Sequence, residues 1–149
     1  MQRPPFPRSP FFWVALAVLT ACSNDASPEQ QVRAVIASME AAAEARDVGE
    51  LMEHISANYR DGQGMDRTEA SRYARGYFVA NQSVHLLTRI ERLEFPSPDE
   101  ARVKLQVGMA GRTGEPGTAS LTADLYDFDL ALIREGDEWK LSYADWRAH

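Results

Sequence analysis

The side chains best suited to acid–base chemistry lie in the last third of the sequence. Asp124 and Tyr126 occupy alternate positions of one extended stretch, and Asp145 belongs to the next. A carboxyl group buried beside a phenol can serve as a general acid or base, because burial raises the carboxyl pKa. These three residues are the candidate catalytic residues, although no stronger catalytic motif surrounds them.

The direction in which these acids face depends on the local strand geometry. Strict alternation back from Phe128 turns Asp124 and Tyr126 towards the interior. A tight hairpin turn would place Asp145 opposite Phe128, also inside. A β-bulge near Tyr126 would instead turn Asp124 to the outer face. We favour the bulge, because bent sheets need such insertions, and therefore expect Asp145 inside as a structural acid and Asp124 outside.

Aromatic side chains are spaced so that they surround the same interior. In the predicted third helix they recur at helical spacing beside alanines, which is the pattern of a buried helix face. The residues expected to line a pocket are Tyr59, Tyr73, Tyr77, Phe128 and Tyr143. The histidines and the single cysteine show no metal-ligand spacing, so we predict neither a metal site nor a cofactor.

A different chemistry is indicated at Cys22, the only cysteine of the chain. Arg3 and Arg8 precede the apolar run 11–19, which is too short to span a bilayer because that takes about 20 residues. A charged start, a short apolar core and small residues before a cut are typical of a secretory signal peptide. Leu19-Thr20-Ala21-Cys22 resembles the lipobox of bacterial lipoproteins, in which the cysteine is acylated and begins the mature chain.

The resemblance to the lipobox implies a domain organisation and a location in the cell. Residues 1–21 would be the signal peptide, 22–28 the lipidated cysteine with its tether, and 29–149 the folded domain. The acyl chains on Cys22 would anchor the protein to a membrane. Ser23 stands where Asp would mark retention in the inner membrane, which implies the outer membrane, facing the periplasm.

The composition bounds what this domain can bind. After the cut, 128 of the 149 residues remain, which is enough for one domain with its own core. The 14 basic and 22 acidic residues that remain give a net charge of −8. An acidic chain without a basic run is a poor partner for nucleic acid and for anionic lipid headgroups.

Capping signals and periodicity place three helices before four strands. Ser27, Asp47 and Asp66 each begin a capping box and are each expected to start a helix, the second of which runs through Ile55. Tyr59-Arg60-Asp61 is expected as a short extended piece before the third helix. From Val84 onward the period changes to two. The strands are expected at 84–95, 100–110, 119–134 and 138–147.

The register of the first two strands defines an outer sheet face. A four-residue loop between them pairs Ile90 with Leu105. The same register sets Glu91 against Lys104 on the face away from the helices, and leaves His85 on that face too. The mixture of apolar and paired charged groups there predicts a homodimer that forms through the outer sheet face.

The order of elements resembles the nuclear transport factor 2-like, or SnoaL-like, superfamily. Glu138-Trp139-Lys140-Leu141 looks like the start of that family's last strand, and Asp47-Val48-Gly49-Glu50 like the start of its second helix. Tyr59-Arg60-Asp61 looks like its short strand. The resemblance implies an α+β, cystatin-like cone in which three N-terminal helices pack on a curved four-stranded antiparallel sheet.

The same resemblance leaves several functions open. Members include isomerase-like and dehydratase-like enzymes, cyclases and proteins that only bind. The isomerase pattern places an oxyanion-stabilising tyrosine on the first helix, which here has no tyrosine. We therefore interpret the protein as a periplasmic lipoprotein that binds a small apolar ligand or a protein partner without catalysis. The alternatives are an acid–base enzyme that uses a pocket aspartate with a tyrosine, and a structural subunit that dimerises.

Overall fold

The computed structural model describes residues 26–113 and 120–149, so the signal peptide, Cys22 and most of the tether lie outside the described residues. The elements of these ranges are α1 (Pro28–Glu44), α2 (Val48–Glu53), β1 (Ile55–Asp61), α3 (Arg67–Ala80), β2 (Ser83–Ser97), β3 (Glu100–Thr113), β4 (Ser120–Glu135) and β5 (Glu138–Ala148). The described strands form one sheet in the order β1-β5-β4-β3-β2. No helix in the described ranges is long and apolar enough to cross a membrane.

The three helices begin where the capping signals predict. The Ser27 hydroxyl accepts the Gln30 N–H at 3.2 Å, and the Gln30 side chain accepts the Ser27 N–H at 2.9 Å. Asp66 and Glu69 form the same reciprocal pair before α3. At α2 only half of the box forms, with the Asp47 carboxylate accepting an N–H of the first turn. Local hydrogen bonds decide these starts, because they satisfy N–H groups that the helix itself leaves unpaired.

The predicted count of four strands is wrong, since the described part of the sheet has five. The short extended piece is a full strand, β1, which lies parallel to β5 at the sheet edge. Ile55 pairs with Leu141 there, so α2 ends at Glu53 rather than running through Ile55. The Leu141 N–H donates to the His54 carbonyl at 2.8 Å. This pairing joins segments that are distant in sequence, and no local pattern indicates it.

The register between β2 and β3 agrees with the prediction only up to a bulge. Ile90 pairs with Leu105 as expected. The ladder then shifts by one residue, so that Lys104 faces Arg92 and the predicted Glu91–Lys104 pair is wrong. The Lys104 ammonium instead lies 2.8 Å from the Asp129 carboxylate, across the ladder with β4.

The predicted bulge near Tyr126 is also wrong. β3 and β4 pair in one unbroken register, in which Tyr126 faces Val107 and Asp124 faces Met109. Strict alternation therefore holds, and Asp124 lies on the same sheet face as Tyr126. Leu125 occupies the opposite face and remains 40% exposed. The structure has single-residue bulges at Glu91 in β2 and at Ser142 in β5 instead.

The bulge that matters for the site lies in β5, at Ser142. Leu132 pairs with Leu141, but Ala131 pairs with Tyr143, so Ser142 is the extra residue. Its hydroxyl donates to the Ala131 carbonyl at 3.1 Å. The bulge reverses the direction in which every later side chain of β5 faces. The predictions that Tyr143 and Asp145 point inward are therefore wrong.

Completely buried apolar side chains lie between α1 and the hairpin of β4 and β5. Val32 and Leu132 are completely buried, and Trp139 is only 2% exposed. The Trp139 indole N–H donates to Gln31 Oε1 at 3.1 Å, and the Arg134 guanidinium lies 4.7 Å from the ring centroid. We call this region, defined by Val32, Leu132 and Trp139, the filled end of the helix–sheet interface.

Candidate functional site

A cavity of about 230 Å³ lies at the other end of the same interface, between α3 and the sheet. We call it the aromatic cavity. Its lining side chains are apolar apart from the phenol hydroxyls and the indole N–H of Trp146. The lining residues are Ala43, Leu51, Tyr73, Ala74, Tyr77, Phe78, Val84, Met109, Tyr126, Phe128 and Trp146. Its described lining includes no residue that carries a charge at neutral pH.

The helix wall of the cavity follows from the spacing along α3. Tyr73, Ala74, Tyr77 and Phe78 fall on one helix face, because residues three or four positions apart lie above one another. Phe78 is 8% exposed and packs edge-on against Tyr77, with ring centroids 6.3 Å apart. Tyr73 remains 59% exposed and lies at the cavity mouth. The small Ala74 leaves room for the cavity between these rings.

The sheet wall is a row of three aromatic rings. Tyr126 and Phe128 alternate along β4, and their ring centroids are 6.4 Å apart. The Phe128 ring is nearly parallel to the Trp146 ring, at 27° and 6.0 Å between centroids. Phe128 and Trp146 are directly paired across β4 and β5, because the bulge at Ser142 turns Trp146 inward. Ring contacts of this kind add stability beyond that gained from burying the surface of the rings.

One carboxylate stands beside the cavity. Asp124 lies two residues before Tyr126 on the same face of β4 and opposite Met109, and its side chain is exposed. The pKa of Tyr77 is raised, mainly by burial and then by the nearby Tyr126 and Asp124. The Tyr77 phenol therefore keeps its proton at neutral pH and can donate a hydrogen bond into the cavity. The site thus combines neutral phenols, ring faces and one solvated negative charge.

The structure separates the residues that the sequence grouped together. It brings Tyr73, Tyr77 and Phe128 to the cavity, together with Tyr126, which the sequence offered as a catalytic candidate. Tyr59 is buried in the core instead, and burial raises its pKa, with Asp61 and Tyr143 adding to the effect.

Two further candidates lie on the outer face of the sheet. Tyr143 is 40% exposed there. Asp145 pairs with Asp129 across the strands, and its carboxylate packs against Gly62, where any side chain would collide with it. His85 faces outward opposite Ala110, as expected. Among the described residues, no group of three His, Cys, Asp or Glu side chains converges as a metal site would require.

Trp146 is an aromatic lining residue that sequence reasoning assigned to the wrong face of the sheet. Strict alternation from the hairpin turn assigns Trp146 to the outer face and Asp145 to the inner one. A usable signal exists, because Ala144 and Trp146 together are more apolar than Tyr143 and Asp145. The more apolar pair belongs inside, which requires a bulge between the turn and Tyr143.

Comparison with known proteins identifies the fold. No protein-family model matches the chain, and no match was found among curated proteins. A dehydratase candidate of the nuclear transport factor 2-like family from Streptomyces avermitilis is 16% identical, with a TM-score of 0.69 over 81% of this chain and 96% of that chain. A type 2 hexachlorocyclohexane dehydrochlorinase is 16% identical, with a TM-score of 0.68 over 81% and 84% of the two chains.

A third solved structure names the architecture. It is an uncharacterised protein with a cystatin-like fold from Caulobacter vibrioides, 10% identical, with a TM-score of 0.66 over 81% of this chain and 89% of that chain. At these identities the likeness shows the fold alone. The chain therefore has an α+β, cystatin-like fold with a mostly antiparallel five-stranded sheet in its described part, as solved nuclear transport factor 2-like proteins do.

Proposed function

We propose that this protein binds a small, mostly apolar ligand in the aromatic cavity and does not transform it. The supporting observation is the cavity itself, which is walled by rings from both α3 and the sheet. Pockets for drug-sized ligands measure about 300–1,000 Å³. A cavity of about 230 Å³ therefore suits a ligand of one or two rings, or of similar bulk.

The polar groups favour binding over catalysis. General acid–base chemistry needs a base held within hydrogen-bond reach of its partner or substrate. The described contacts include no hydrogen bond between Asp124 and the hydroxyl of Tyr77 or Tyr126, and Asp124 is exposed. The phenols suit a role in orienting a ligand through one polar group.

Indole, a neutral two-ring probe, tests this proposal. Titration into the full chain, followed by NMR, should give saturable binding that perturbs the indole signal of Trp146. Ala74→Phe should abolish the binding, because the new ring fills the cavity. Val79→Phe is the matched control, since Val79 is 83% exposed and lies away from the cavity on the same helix. Absence of saturable binding, or binding that survives Ala74→Phe, would contradict the proposal.

An acid–base function is the second candidate, and the inward-facing position of Asp124 favours it. A dehydratase candidate and a dehydrochlorinase share the fold. Both names describe eliminations, in which a base removes a proton from one carbon while the leaving group departs from the next. Hexachlorocyclohexane is the probe, and chloride release is the readout. Turnover that disappears in Asp124→Asn would place this function ahead of binding.

We also propose that the protein is a lipoprotein anchored through Cys22, on the outer membrane and facing the periplasm. The support is the lipobox-like Leu19-Thr20-Ala21-Cys22 after a charged start and a short apolar run. Cys22→Ser should release the protein from the membrane fraction or leave the precursor uncleaved. Unchanged processing and fractionation of that variant would contradict this proposal.

A second copy of the chain is the partner that we propose for the outer sheet face. That face carries a shallow apolar concavity of about 430 Å³. Leu87 is 78% exposed there and Leu125 is 40% exposed, with Gly108 between them. Light scattering of the full chain should give a dimer mass, and Leu87→Asp should give a monomer. Val79→Asp, at an equally exposed position of α3, should remain dimeric; a monomeric parent protein would reject the interface.

A further inference from the structure

We propose that the ligand of the aromatic cavity is a small organic cation, an amine or a quaternary ammonium group, held by the ring faces and the Asp124 carboxylate. This inference rests on the proposed binding function and adds the charge of the ligand. The rings of the aromatic cavity would surround a positively charged group rather than a neutral apolar one.

The ring arrangement is the first reason. Six aromatic side chains line the cavity, three from α3 and three from the sheet. The Phe128 and Trp146 rings stack with 6.0 Å between centroids and an interplanar angle of 27°, and the Tyr126 ring adjoins Phe128 with 6.4 Å between centroids. The face of an aromatic ring is negative, and a cation within about 6 Å of the ring centroid is attracted to it. Trp and Tyr, which supply four of the six rings, have the more strongly attracting faces.

The distribution of charge is the second reason. No lysine, arginine or histidine belongs to the described lining, so nothing in it competes with a bound cation. Arg67, at the start of α3, is a nearby basic residue, but its guanidinium donates to the backbone carbonyls of Met52 and Ile55. Asp124 lies beside the cavity on the same face as Tyr126, and its described contacts include no ion pair. The carboxylate is therefore available to a cation that enters at the mouth.

The same features disfavour other ligand classes. An anionic ligand would meet the Asp124 carboxylate without a compensating basic group in the described lining. A neutral apolar ligand gains only contact with the walls. A trimethylammonium group has the same shape as a tertiary butyl group and gains the electrostatic attraction as well. Comparing the affinities of two ligands that differ only in this charge measures the electrostatic attraction separately from the general ability of the cavity to bind apolar groups.

Choline and 3,3-dimethylbutan-1-ol form such a pair, since a carbon atom replaces the nitrogen. Calorimetric titration of the full chain should show choline binding roughly tenfold more tightly than the alcohol, as a desolvated cation–π site with one carboxylate predicts. Asp124→Asn should lower the affinity for choline severalfold and leave that for the alcohol unchanged. Asp127→Asn is the matched control, because Asp127 lies on the outer face of the same strand, bound to Gln106 and His149.

A second variant tests the rings themselves. Trp146→Leu keeps an apolar wall but removes one ring face, so it should weaken choline binding more than alcohol binding. Equal affinity for the two probes, or tighter binding of the alcohol, would overturn the cation inference and leave the proposed binding function intact. Binding of indole without binding of choline would have the same meaning. Failure of indole, choline and the alcohol together would overturn the binding function itself.

Discussion

The two ends of the helix–sheet interface are built from different side chains. At the filled end Val32 and Leu132 are completely buried, and Trp139 is fixed by a hydrogen bond and a guanidinium. At the aromatic cavity large rings meet from both sides, yet a space of about 230 Å³ remains between them. Unfilled space lowers stability, because the atoms around it lose contacts. The filled end thus stabilises the fold, whereas the unfilled space of the aromatic cavity lowers its stability.

Leu132→Ala should produce the largest effect and tests this division directly. Leu132 is completely buried at the filled end, so its truncation should lower the free energy of unfolding by about 2–5 kcal/mol. Urea denaturation followed by far-ultraviolet circular dichroism measures the change. Tyr73→Ala is the companion variant, and it should lose much less because Tyr73 is 59% exposed at the cavity mouth. Similar losses in both variants would remove the distinction between the two ends.

Asp61→Ala should have the next largest effect, because Asp61 shapes the turn that leads into α3. Asp61 Oδ1 accepts the N–H of Gln63 at 2.9 Å and that of Met65 at 2.8 Å. The carboxylate residue is 5% exposed, so its loss removes a buried acceptor from two N–H groups of the turn and should lower the free energy of unfolding by about 1–3 kcal/mol. Asp137→Ala, in the exposed turn between β4 and β5, is the control for urea denaturation. Equal losses would show that the turn does not depend on Asp61.

Alkaline pH should distinguish a tyrosine outside the cavity from one that lines it. The pKa values of Tyr59 and Tyr77 are both raised, chiefly by burial, and Tyr59 is the more deeply buried of the two. The unfolded chain therefore loses these protons first, and stability should fall as the pH rises above about 10. Tyr59→Phe should reduce this loss more than Tyr77→Phe does.

Urea midpoints measured from about pH 8 to about pH 11.5 provide the readout for this prediction. At about pH 8 both phenols are almost fully protonated in the folded and unfolded chains, so the phenol contribution to the slope should be negligible there. A larger effect of Tyr77→Phe would mean that the cavity wall is the drier environment, contrary to the exposed fractions.

Asp124→Asn should have the smallest effect on stability. Asp124 is exposed and beside the cavity, so the free energy of unfolding should change by less than about 0.5 kcal/mol, as for most surface substitutions. The same variant should lower the affinity for choline, so stability and ligand binding can be distinguished at this one position. A stabilisation of more than about 1 kcal/mol would mean that the carboxylate is strained by burial and would favour the acid–base function.

Much of the fold could be predicted from the sequence because its determinants are local. The capping residues Ser27, Asp47 and Asp66 mark the helix starts, since each accepts an N–H from the turn that follows it. Period-two patterning located the four long strands to within a few residues of their observed bounds. The spacing of aromatic residues along α3 likewise assigned Tyr73 and Tyr77 to the helix face that lines the aromatic cavity.

The aromatic cavity depends on features that are not local. The parallel edge strand β1 pairs with a segment at the other end of the chain. The bulges at Glu91 and Ser142 shift the register of one strand against its neighbour, and a sequence pattern predicts that a bent sheet needs bulges without fixing their positions. The sheet therefore contains bulges, as predicted, but they lie at Glu91 and Ser142 and not near Tyr126.

The sequence by itself determined where the three helices begin and where the four long strands lie, because hydrogen bonds within a turn and the alternation of side chains are set by neighbouring residues. Only the tertiary structure decided that Trp146 lines the cavity while Asp145 lies outside, and that Asp124 faces inward. A single inserted residue reverses the face of every residue beyond it. The position of the bulge in β5 depends on the pairing of β5 with both β4 and β1, which involves residues far apart in the chain.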